Sequence, residues 1–108
     1  RKPAAVQTNV YRVGDLELHA DTMEVLRAGT QVKLSGKEFA LLRYMMQNAG
    51  IVLSRERLEQ HLWNYDYAGG SNVIDVYIRY LRKKIDAGFD RKLIHTIRGA
   101  GYVIKEDS

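Results

Sequence analysis

The sequence predicts an α+β domain: a four-stranded antiparallel sheet, three helices and a closing β-hairpin. Three observations carry this. Residues 10–34 alternate short β-rich runs with glycine-containing turns. Residues 35–86 hold three segments of helical periodicity, each preceded by a Ser or Asn able to cap it. Residues 93–105, LIHTIRGAGYVIK, return to two β-rich runs around Gly99-Ala100-Gly101. A chain of 108 residues, 45% hydrophobic and 28% charged, is one domain large enough for a single core.

Each element has its own local cause. Residues 1–9, RKPAAVQTN, are small, polar or proline-containing and read as linker. Strands are expected at Val10–Val13, Leu16–His19, Glu24–Arg27 and Gln31–Leu34, with turns at Gly14-Asp15 and Ala28-Gly29. Ser35 and Glu38 have the spacing of a capping box, and Leu34 and Phe39 that of a hydrophobic staple. Phe39, Leu41, Leu42, Met45, Met46 and Ala49 then cover a broad inward arc, and Gly50 ends this first helix. Ile51-Val52-Leu53 reads as a short extended link. Ser54 caps a second helix, with Glu56 in its first turn and Leu58 and Leu62 facing inward. Trp63 closes it. Gly69-Gly70 prevents residues 64–71 from continuing the helix.

The third helix, from Asn72 to a stop at Gly88, is the most unusual segment. At about 100° per residue, Ile74, Ile78, Leu81 and Ile85 fall on one line, which anchors the helix on a core. The opposite side carries Asn72, Val73, Val76, Arg79, Tyr80 and Lys83. A solvated face does not usually hold Val73, Val76 and Tyr80, and a second protein core does not hold Arg79 and Lys83. The major groove of DNA takes both kinds of side chain: thymine methyls accept apolar contact, and phosphates and guanine edges accept Lys and Arg. Two helices, a connection and a hairpin make a winged helix-turn-helix, so the whole is a winged helix-turn-helix with an N-terminal four-stranded sheet.

Charge points the same way. Residues 71–105 hold eight Lys and Arg against three Asp, a net +5, whereas residues 1–70 carry +1. A basic field concentrated on and after one helix suits a polyanion. Other functions find little support. The chain has no cysteine for disulfides, thiolate metal sites or cysteine catalysis. His19, His61 and His95 lie far apart without ligand spacing, and Gly99-Ala100-Gly101 lacks the rest of a dinucleotide fingerprint. No enzyme activity, metal or cofactor is therefore expected. The absence of cysteine makes the cytoplasm the expected compartment, and with no run long enough to cross a bilayer and no signal-peptide pattern no membrane partner is expected. The chain opens with Arg-Lys-Pro rather than Met, which suggests a piece of something longer or a processed chain.

SGKEFALL at 35–42, LSRERL at 53–58, Trp63, NVIDVYIRYLRKKID at 72–86 and IHTIRGAGYVI at 94–104 together resemble the effector domain of OmpR/PhoB-type response regulators. The most specific pieces are Ile74-Asp75-Val76-Tyr77-Ile78 leading to Leu81-Arg82-Lys83, and the Arg-Gly-x-Gly-Tyr of 98–102. The resemblance implies a domain over 10–105, with 106–108 a tail, that binds double-stranded promoter DNA and regulates transcription. It implies an N-terminal receiver, absent here, phosphorylated on Asp by a sensor histidine kinase, with 1–9 as linker remnant. It also implies pairing on direct repeats as a homodimer, and contact with RNA polymerase through loop 64–71.

Carried over by position, the resemblance puts Asn72, Val73, Val76, Tyr77, Arg79 and Tyr80 in the major groove. Arg55, Trp63, Arg82, Lys83 and Thr96 would serve phosphates. Arg98, on the wing, would enter the minor groove. Plainer roles stand beside these: Val76 as a tolerated exposed valine, Arg82 paired with an acid inside the domain, Tyr77 packed on the wing, Trp63 at the edge of the core. Asp75 is expected to support its helix N-terminus or to pair with Arg79, and Tyr102 to pack in the hairpin. Tyr80 stands where an Arg is common in the family, so a different sequence preference is implied. The competing function is a winged-helix module that binds protein, which would lack the cations of the third helix and wing.

Overall fold

The computed structural model describes residues 9–63 and 73–106, apart from the Trp63 side chain. The first sheet is an antiparallel meander of β1 (Val10–Val13), β2 (Leu16–His19), β3 (Glu24–Arg27) and β4 (Thr30–Val32), in that spatial order. Val13 pairs with Leu16 across the Gly14-Asp15 turn, and Arg27 with Thr30 across Ala28-Gly29. Ala28 and Gly29 both have positive φ, 53° and 83°, as a two-residue hairpin of matching twist requires. β4 starts one residue earlier than expected and stops at Val32. Lys33 and Leu34 leave the sheet because Ser35 must turn to cap the next helix; Leu34 packs against the core on the way.

Helix α1 (Gly36–Gln47) opens with the expected capping box: Glu38 N–H donates to Ser35 Oγ at 3.2 Å, and Ser35 N–H donates to Glu38 Oε1 at 2.9 Å. Phe39, Leu41, Leu42, Met45 and Met46 are buried. Ala49 is exposed, against expectation, because the helix is already capped at Asn48 and Gly50 turns the chain away at φ 84°. Helix α2 (Arg55–Trp63) is capped by Ser54, whose Oγ accepts from Arg57 N–H at 3.1 Å. Leu58 and Leu62 are buried, and the His61 ring stacks on Tyr44 of α1 at 4.1 Å.

Helix α3 (Val73–Leu81) buries Ile74, Ile78 and Leu81 as the periodicity requires. It continues through one wider turn, Arg82–Asp86, closed by Ala87 N–H donating to Arg82 O at 2.9 Å. That turn buries Asp86 beside Ile85, and Gly88 follows at φ 87° as the expected stop. β5 (Ile94–Ile97) and β6 (Gly101–Ile104) form the hairpin. Its turn is Arg98–Ala100, and Gly101 already belongs to β6.

The link after α1 is a third strand in all but length. Leu53 exchanges two backbone bonds with Tyr102, at 2.8 and 3.0 Å, and Gly50 N–H donates to Ile104 O at 2.9 Å. The hairpin is thereby fastened to the entrance of α2. One core joins Leu16, Leu18 and Val25 of the first sheet to α1, α2, α3 and Ile104.

Candidate nucleic-acid interface

Helix α3 presents four kinds of surface around its axis. The Ile74–Ile78–Leu81–Ile85 stripe faces the core. Arg79, Tyr80 and Lys83 are exposed on the opposite side, with Val76 half-buried among them. The two flanks are engaged within the domain. On one, Val73 and Tyr77 are half-buried and packed against the core, and Lys84 pairs with Glu38 of α1 at 2.7 Å. Both Val73 and Tyr77 were expected on the groove side. At about 100° per residue they stand roughly a quarter turn from the core stripe, close enough to pack on its neighbours. Tyr77 also meets Tyr80 edge-to-face, with ring centroids 6.1 Å apart.

The other flank ties α3 to α2 and to the wing. Asp75 Oδ1 accepts from Arg55 Nε at 3.0 Å and from the Tyr102 hydroxyl. The expected Asp75–Arg79 pair does not form, because Asp75 leans toward α2 and the hairpin. Asp75 holds the Arg55 pKa above its ordinary value. Burial, and then donation to Asp75, raise that of Tyr102. Tyr102 packs in the hairpin as expected, and Asp75 adds a bond the sequence did not suggest. Arg82 donates to Ile94 O at 3.4 Å and to Thr96 Oγ1 at 2.5 Å, and its guanidinium lies 5.8 Å from the centre of the Tyr102 ring. Its partner in the domain is thus the hairpin rather than an acid. Arg82 and Thr96, both expected at phosphates, are first of all each other's partners.

Between the start of α2 and the wing lies an open cleft of about 640 Å³ lined by Arg55, Thr96 and Arg98. A second, of about 490 Å³, runs along the end of α3 beside Arg79, Lys83 and Lys92. Lys92 had not been singled out. It donates to Asp86 O at 3.0 Å and Phe89 O at 2.7 Å, so it closes the end of α3 and adds a cation to that edge. Only the charge excess of the C-terminal third signalled it.

Arg98 is exposed in the wing turn. Among the described residues no carboxylate pairs with Arg79, Lys83 or Arg98. Asn72, the Trp63 side chain and loop 64–71 lie outside the described residues. Among those described, no cluster of His, Cys, Asp and Glu could hold a metal, and no helix is long and apolar enough to cross a membrane.

A family model described as "Transcriptional regulatory protein, C terminal" matches residues 29–104. The probable transcriptional regulatory protein TcrX of Mycobacterium tuberculosis is 54% identical over 93 residues, 86% of this chain and 39% of TcrX. The chain spans about two fifths of the length of the curated relatives it matches. Among solved structures, the response regulator DrrB of Thermotoga maritima, an OmpR/PhoB homologue, is 33% identical with a TM-score of 0.79, over 90% of this chain and 44% of DrrB. The DNA-binding domain of Klebsiella pneumoniae RstA, solved in complex with the RstA box, is 30% identical with a TM-score of 0.76, over 89% of this chain and 96% of that one. With its sheet, three helices and hairpin in the same arrangement, the chain belongs to the family of C-terminal domains of transcriptional regulatory proteins, as a winged helix-turn-helix of the OmpR/PhoB type.

Proposed function

We propose that this domain binds double-stranded promoter DNA sequence-specifically and regulates transcription as the effector part of a two-component response regulator. The observation that carries this is the outward face of α3, where exposed Arg79, Tyr80 and Lys83 surround a half-buried Val76. That mixture suits a major groove and neither solvent nor a protein core. The similarity to the RstA DNA-binding domain, solved in complex with the RstA box, supports DNA binding.

Val76, Arg79 and Tyr80 read base edges, with Asn72 at the start of the helix and Val73 and Tyr77 along its flank. Lys83, Arg55, Trp63 and Thr96 serve phosphates; Arg82 does so while holding Thr96. Arg98 enters the adjacent minor groove, where a narrow A·T-rich stretch attracts a cation. In the full-length protein the domain pairs as a homodimer on direct repeats, answers to a receiver phosphorylated by a histidine kinase, and meets RNA polymerase through loop 64–71.

Titrating the chain with promoter duplex across salt concentrations tests the proposal. The logarithm of the association constant falls linearly with the logarithm of salt, with a slope of roughly −4 to −6. Arg98→Ala weakens binding and reduces the preference for an A·T-rich flank. Absence of binding to any duplex at low salt, with a protein ligand on the same face of α3, would overturn the proposal in favour of a protein-binding module.

A further inference from the structure

Tyr80 is 43% exposed, among the most open of the large apolar side chains described. It projects one turn after Val76 on the same face of α3, with the cations Arg79 and Lys83 to one side. Its ring is not loose: the edge-to-face contact with Tyr77, 79° between planes, fixes it from one side. Tyr77 is in turn packed against the core. Tyr77 thus braces the Tyr80 ring from the core side, which reduces the rotamer freedom to be lost on binding.

The chemistry of that surface is narrow. An aromatic ring beside a valine offers apolar contact and a single hydroxyl. It lacks the two parallel donors with which an Arg engages the O6 and N7 of guanine. On the major-groove edge of a base pair the one apolar group is the C5-methyl of thymine. We infer that Val76 and Tyr80, with Tyr77 as brace, form a methyl-reading notch that selects a pyrimidine carrying a C5-methyl group at one position of the site. Thymine supplies that group, and 5-methylcytosine supplies the same group on a different base. The inference rests on the placement of α3 in the major groove proposed above.

Exchanging bases tests the notch without disturbing the protein. Tight duplexes are first selected from a random 30-base-pair pool with the 108-residue chain. They are then resynthesised with deoxyuridine for each thymidine in turn, which deletes one methyl and nothing else. At one or two thymines the exchange lowers affinity about fourfold, the worth of one buried methyl, with the salt slope unchanged. At that position a 5-methylcytosine·guanine pair binds more tightly than cytosine·guanine by a similar factor. Tyr80→Ala removes the discrimination, and Tyr80→Phe, which keeps the ring, retains it. Equal affinity for deoxyuridine and thymidine at every position overturns the notch and leaves DNA binding standing. So does discrimination that survives Tyr80→Ala or vanishes in Tyr80→Phe. If the pool yields no binding duplex at any salt, the notch fails together with the placement of α3 in DNA.

Discussion

Gly101 sets the position of the wing. Its φ of 147° lies in a region that side chains rarely enter. A Cβ built there would stand 2.0 Å from Leu53 O, an atom held by Tyr102 N–H at 3.0 Å. Neither backbone can yield without breaking the Leu53–Tyr102 exchange, which is what fastens the hairpin to the entrance of α2. Gly101→Ala is therefore expected to destabilise the domain by more than about 1 kcal/mol, lowering Tm by roughly 5 °C or more. DNA affinity should fall further than the lost stability accounts for, because Arg98 and Thr96 move with the hairpin. A thermal melt matching that of the parent would contradict the close approach. By contrast Gly99, two residues earlier, meets nothing within 4 Å in the place of a Cβ, and only its φ of 79° restricts it.

Helices α1 and α2 are joined by a contact that titrates. His61 stacks on Tyr44 with an interplanar angle of 12°. Burial, and then the charge of Arg43, push its pKa below the ordinary value of 6.5. The unfolded chain thus takes up the proton first as pH falls, and stability drops as pH goes below about 6.5 until the folded value is reached. His61→Phe keeps a ring on Tyr44 and removes the titration. Urea midpoints between pH 7 and 5 should fall less in the variant than in the parent, and parallel profiles would sink the assignment. The elements themselves were largely legible because their causes are local: Ser35 and Glu38 are three residues apart, and the stripe of α3 repeats every three or four. The outward side of α3, with Arg79, Tyr80 and Lys83 exposed, was legible for the same reason. Pairing of Leu53 with Tyr102 was not, since a three-residue run carries no mark of a partner 49 positions away. Nor was the role of Asp75, whose partners Arg55 and Tyr102 come from two other elements.

At the scale of the whole molecule, a buried cation connects the first sheet to the end of α3 and the segment that follows it. Arg27, 1% exposed, sits at the end of β3. It donates to Asp15 Oδ1 at 2.5 Å, to Asp86 Oδ1 at 3.0 Å, to Arg91 O at 2.7 Å and to Ile85 O, and lies 4.2 Å from the centre of the Phe89 ring. Asp86, equally enclosed, accepts from the amides of Leu93 and Ile94 at 3.1 Å. The wide turn at the end of α3 is what brings Asp86 inward to this position. The sequence showed a strand-ending Arg and a helix-ending Asp 59 residues apart, with nothing local to join them. Removing one partner strands the other in the interior, so Arg27→Met is expected to cost about 3 kcal/mol or more. Replacing both charges with apolar groups avoids the stranded carboxylate, and Arg27→Met with Asp86→Leu should recover part of that loss. Because one core spans both sheets, the losses should appear as a lower urea midpoint at unchanged slope, identical by circular dichroism and by tryptophan fluorescence. Strictly additive losses in the double variant would mean that Arg27 and Asp86 act separately. Two transitions in the parent would mean that the first sheet folds apart from the three helices.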